Sequence, residues 1–148
     1  MPNSHPTTRK TWRVFGLYAI AGLVSPFFYT ILECNRLGGI GFPLDDAWIH
    51  QVFARNLAHG YGFSFNPGFP IAGSTSMLWS FLLAASEFLP VGAIFWAKVW
   101  GVGFLILSAF AIYRIARLAL DERDAIAVGG LTLVSPHLVW ASLSGMEA

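Results

Sequence analysis

Two adjacent carboxylates, Asp45 and Asp46, follow Pro43-Leu44 and precede His50 by one helical turn. Adjacent carboxylates repel each other, a tension that a bound cation or a retained proton relieves. The pair therefore suits a general base or a metal ligand. A plainer reading makes Asp45 a helix N-cap and leaves Asp46 to the helix dipole, a benefit of ~0.3–1 kcal/mol. His50 could hydrogen-bond Asp46, though a His four residues from an Asp is more often a structural pair than a catalytic dyad. Arg55, His59 and Lys98 are candidate anion contacts, and Arg55 or Lys98 could hold a lipid-linked phosphate. Against that, Lys98 lies in an apolar stretch from which a long basic side chain snorkels to headgroups. Asn66, within Asn66-Pro67-Gly68, and Ser74 and Thr75, within Gly73-Ser74-Thr75-Ser76, could line a sugar pocket. Turn chemistry alone favours a simple turn and cap. Glu147, at the end of the sequence, reads as an interfacial acid.

The elements that must position these residues are mostly apolar. Trp12 to Leu32 is long enough to cross a bilayer, which takes about 20 residues. Arg9, Lys10 and Arg13 precede it, so the positive-inside bias puts the N-terminus in the cytoplasm and the acidic pair outside. The run exceeds the usual signal-peptide core of about 7–15 residues, and its small-residue site Ala19-Ile20-Ala21 falls inside it, so a retained anchor is expected. Pro26 is a candidate kink. Met1 to Thr8 reads as a disordered tail, with residues 1–11 cytoplasmic.

Residues 33–90 are expected to form an extracytoplasmic loop. Glu33 to Pro43 reads as irregular chain, and Asp46 to His59 as an amphipathic helix with Ile49, Phe53 and Leu57 at i, i+4 and i+8. Gly60 stops it, and such a helix lies along an interface. Tyr61 to Phe65 and Phe69 to Gly73 alternate as two short strands about the Asn66-Pro67-Gly68 turn. Met77 to Leu89, closed by Pro90, is too short to span and reads as interfacial or half-inserted. Val91 to Leu120 is a second span with Arg114, Arg117 and Arg123 marking its cytoplasmic end. Asp121 to Asp124 is a polar turn, and Ala125 to Ser142 a third span running outward. Residues 143–148 then open a second outer segment on the same side as Asp45-Asp46.

Composition agrees with this division. Of 148 residues, 55% are hydrophobic and 11% charged, with a mean hydropathy of +0.60; soluble domains carry about a quarter charged residues. The surplus apolar surface calls for a lipid bilayer as partner, with aromatics at 16% suited to the headgroup level. A net charge of +1 provides no basic face for nucleic acid. The single Cys34 excludes an internal disulfide, and no zinc pattern is present. The fold class expected is an all-α membrane protein with about three transmembrane helices and interfacial helices in its first outer loop.

The run Asp45-Asp46-Ala47-Trp48-Ile49-His50, with Ala54-Arg55-Asn56-Leu57, Gly60-Tyr61-Gly62, Phe65-Asn66-Pro67-Gly68, Gly73-Ser74-Thr75-Ser76-Met77-Leu78-Trp79 and later Ser144-Gly145-Met146-Glu147, resembles the N-terminal part of a family of membrane glycosyltransferases. These are GT-C fold enzymes that use polyprenyl-phosphate sugars, and the nearest look is to bacterial arabinofuranosyl- and mannosyltransferase-like proteins. The resemblance implies a bacterial inner-membrane protein that moves a sugar from a polyprenyl-phosphate donor to an envelope glycan, lipid or protein acceptor. It implies Asp45 or Asp46 as catalytic base, with Arg55, Asn66, Ser74, Thr75, Lys98 and Glu147 as substrate contacts. A divalent cation assists some members, and Asp46 and Glu147 would be its ligands here. His50 and Gln51 stand where relatives often carry other polar or aromatic residues.

Relatives have many more spans and several hundred residues. On that comparison the chain is expected to be a fragment, or the product of a split or decayed gene, inactive alone. The alternative is a non-catalytic, small multi-span subunit or scaffold with Asp45-Asp46 as cap and dipole partner. A transporter fragment is a weaker third reading, because no expected span carries a buried acid for ion coupling.

Overall fold

A computed structural model describes residues 8–71 and 73–146. The chain forms six helices and one small hairpin among the described residues: α1 (Thr8–Leu37), α2 (Asp45–Ala58), β1 (Ser64–Asn66), β2 (Phe69–Pro70), α3 (Met77–Ser86), α4 (Ala93–Ala116), α5 (Glu122–Val134) and α6 (Pro136–Leu143). Two helices are long and apolar enough to cross a membrane, one within α1 and one being α4; α5 and α6 pass the same test only together, as a pair bent at its break, a broken span or a re-entrant loop.

The first helix is longer than the expected span. It begins at Thr8, where a polar tail was expected, and runs unbroken through Pro26 to Leu37. Glu33 to Leu37 therefore belongs to a helix rather than to a loop. Arg, Lys and Glu are good helix formers, so the polar flanks extend the apolar run. The helix stops at Gly38, whose φ of 73° is open to glycine without strain; residues 1–7 of the expected tail lie outside the described residues.

The third span is also corrected. The run expected from Ala125 to Ser142 is two helices bent by 54° at Ser135-Pro136. A proline inside a helix lacks the N–H donor and clashes with the preceding turn, whereas at the first helical position it fits. Pro136 accordingly opens α6. Two hydroxyls of α1 serve the α5 backbone: Tyr18 donates to the Ile126 carbonyl at 2.9 Å and Ser25 to the Leu133 carbonyl at 2.8 Å.

α4 runs antiparallel to α1 and α5, which are parallel to each other, around one apolar core that includes Val14, Tyr18, Leu105, Ala109, Tyr113 and Leu133. Glycines let them approach closely. A Cβ on Gly101 would collide with the Ser142 carbonyl, and one on Gly129 would lie 2.8 Å from the Ala109 carbonyl. Lys10 pairs with Glu122 at one end of this bundle, and Lys98 with Glu33 at the other. A second core, Ala54, Trp79, Leu83, Ala84 and Ala97, joins α2 and α3 to the start of α4. The hairpin pairs Ser64 with Pro70 and Asn66 with Phe69, shorter than the strands expected. The short helix expected to reach Leu89 ends at Ser86, and α4 ends at Ala116 rather than Leu120.

Candidate functional site

Asp45 and Asp46 occupy the first turn of α2, and both are exposed. The N-cap position belongs to Leu44, in extended conformation, with no side-chain capping bond. Asp45 is therefore the first helical residue, which corrects its expected role as cap. Both carboxylates sit where the helix dipole favours negative charge, and neither is used to close the helix.

Behind them, α2 turns a polar face inward. His50 is 2% exposed, and its Nδ1 lies 2.9 Å from Ser74 Oγ. Ser74 Oγ is in turn 2.9 Å from Ser80 Oγ on α3, so one polar chain runs from α2 through the Gly73–Ser76 loop. The sequence gives His50 little weight, since the resembled family often carries other polar or aromatic residues at this position. Gln51 is 8% exposed, with both side-chain polar atoms unpartnered among the described residues. An unpaired buried amide costs about 1–3 kcal/mol, a second feature of this face that periodicity did not reveal.

The expected contact residues fall into separate groups. Ser74, half-buried, and Thr75, exposed, stand on the loop joined to α2 through His50. Arg55 is exposed ten residues beyond Asp45, roughly 15 Å along the helix axis. Asn66, also exposed, sits on the hairpin at that far end, which Asn56 fastens by donating to the Ser64 and Phe65 carbonyls, both at 2.9 Å. Arg55 and Asn66 thus lie away from the acidic edge. His59 Nδ1 stands 2.8 Å from the Arg55 carbonyl at the C-cap.

Lys98 is corrected most. It neither snorkels nor stands open to a phosphate: its Nζ lies 2.9 Å from Glu33 Oε2, with both side chains buried. The signal was present in the sequence, as an acid at the end of one apolar run and a base at the start of the next antiparallel one. Reading Glu33 as loop concealed it.

Glu147 lies outside the described residues, but the segment leading to it is placed. Gly145, at φ 80°, packs so closely on the Phe42 ring that a Cβ there would collide with it. Its carbonyl accepts a 2.9 Å bond from the Trp79 indole N–H. Phe42 also meets Trp48 edge-on at 5.1 Å. The chain just past α6 therefore reaches the loop that leads into the acidic pair. A half-open groove of about 430 Å³ begins beside it, with Ser76, Trp79 and Met146 at one end, and runs between α3, α4 and α6 to Ser108 and Leu138.

No three His, Cys, Asp or Glu residues among those described come together as a metal-binding group. Of the two expected cation ligands, Asp46 is exposed at the start of α2 and Glu147 lies outside the described residues. No protein-family model, curated protein or solved structure matches this chain.

Proposed function

We propose that the chain is the N-terminal part of an integral-membrane glycosyltransferase that moves a sugar from a polyprenyl-phosphate donor to an extracytoplasmic acceptor. The observation that carries the reading is an exposed acidic pair in the first turn of α2, a helix tied through its His50 to the loop that leads into an apolar groove. Ser76 lines that groove, and Ser74, two residues earlier, is tied to His50 one turn past Asp46. The groove's mostly apolar walls suit a lipid tail. Gly145 beside Phe42 supports the expected convergence of the two outer segments.

In this reading α1 starts in the cytoplasm and the acidic edge faces outward, as the basic flanks favour. The acceptor hydroxyl oxygen bonds to the anomeric carbon while the carbon–oxygen bond to the donor phosphate breaks. The electron pair leaves on the phosphate, and the hydroxyl proton passes to Asp45 or Asp46. In-line attack inverts the anomeric centre, and the phosphate leaves without a strong acid. Lys98 takes no part because Glu33 holds it; Ser74 and Thr75 are the nearer sugar contacts, and Arg55 and Asn66 are assigned to the acceptor side.

Membranes carrying the full coding frame should transfer sugar from a member of a polyprenyl-phosphate sugar panel. Asp45→Ala or Asp46→Ala should lower transfer by about 10²-fold or more while insertion is kept. Unchanged transfer in both variants would refute the assignment and favour the non-catalytic scaffold.

A further inference from the structure

We propose that Glu33 is the positioning residue of the acidic edge, acting through the loop between α1 and α2. The bearing of this clamp on sugar transfer rests on the function proposed above; its bearing on loop order does not. Gly38, Gly39 and Gly41 lie in the seven residues between α1 and α2, and glycine gives a chain little intrinsic preference for one path. A loop of this composition needs fastening if it is to hold Asp45 in one place.

Glu33 supplies a fastening from the rigid part of the molecule. Its Oε2 is held by Lys98 of α4 at 2.9 Å, and its Oε1 accepts a long 3.4 Å bond from the Gly41 N–H. Both side chains of the ion pair are buried, at 7% for Glu33 and 9% for Lys98. A buried carboxylate requires a partner for its charge, and here that partner comes from the neighbouring helix. One oxygen thus answers to the helix bundle and the other to the loop, four residues before Asp45. Phe42 adds a second hold by packing on Gly145 and Trp48.

The test separates the charge pair from the loop bond. Removing one charge alone would strand the other, so paired variants are compared. Glu33→Gln with Lys98→Met removes both charges and keeps an acceptor oxygen for Gly41. Glu33→Met with Lys98→Met removes the acceptor as well. Nitroxides at Leu44→Cys and Val99→Cys, with Cys34→Ser, report the loop-to-α4 distance by pulsed electron resonance in nanodiscs. The expected result is a narrow distribution in the parent and the Gln/Met variant and a broad one in the Met/Met variant. In the full coding frame, transfer by Met/Met should fall by about 10²-fold, as misplaced reacting groups cause, and be largely restored by Gln at position 33. Equal widths in the two double variants, narrow or broad, would overturn the proposal. Loss of the function reading would show separately, as transfer indifferent to Asp45→Asn and Asp46→Asn with the distance result standing.

Discussion

Lys10 and Glu122 meet at one end of the helical bundle with their side chains 59% and 27% exposed, whereas Glu33 and Lys98 meet at the other with theirs 7% and 9% exposed. Each pair joins α1 to a neighbouring helix, Lys10 to the start of the parallel α5 and Glu33 to the start of the antiparallel α4. The surroundings differ. The open pair sits in a medium that screens it and would hydrate either partner alone, and such pairs contribute about 0–1 kcal/mol. The closed pair has given up its hydration, so each member depends on the other. The exposed pair is dispensable, while the enclosed one is obligatory as a pair. Its net stabilisation over an apolar replacement is small, and its value lies in where it holds the chain.

That contrast is broken most directly at Lys98. Lys98→Met alone should leave Glu33 buried without its cation and cost about 3–5 kcal/mol, read as a fall in the unfolding free energy in mixed micelles. The loss should be largely recovered when Glu33→Met is added. A single variant as stable as the parent would show that the joint is hydrated and the contrast false. Of intermediate size, Gly145→Ala should cost about 1–3 kcal/mol, because the new methyl meets Phe42 and the backbone is left-handed there. Its effect should appear also as increased proteolysis between residues 38 and 44. The smallest change belongs to the open end. Lys10→Ala should shift stability by less than about 0.5 kcal/mol, a difference that shrinks further as salt is raised. A salt-insensitive loss of several times that size would make the two ends alike.

The parts of this molecule legible in sequence are those governed by long apolar runs and by turn chemistry. Both long helices, the amphipathic α2 with its stop at Gly60, and the hairpin about Asn66-Pro67-Gly68 follow from periodicity and glycine–proline punctuation. Boundaries set by polar helix formers are less legible, as at Glu33 to Leu37, where charge next to glycines resembles loop although the chain is helical. The break at Pro136 was available in the sequence but hidden by the apolar run around it. Pairings such as His50 with Ser74 and Lys98 with Glu33 depend on helix packing, which no local pattern encodes. Within the site, adjacency placed Asp45 and Asp46 together from the start. Only the fold separates Arg55 and Asn66 from them, because ten residues that are close in sequence are far apart on a rigid helix.

The 54° bend before Pro136 has a mechanical consequence for that edge. The eight residues of α6 form a rod about 12 Å long, so straightening it onto the line of α5 would swing its tip by about 11 Å. Gly145 would then lose both Trp79 and Phe42. The proline elbow thus sets where the last described residues arrive, and lengthening or deleting a residue there would steer them off target while leaving every apolar run intact.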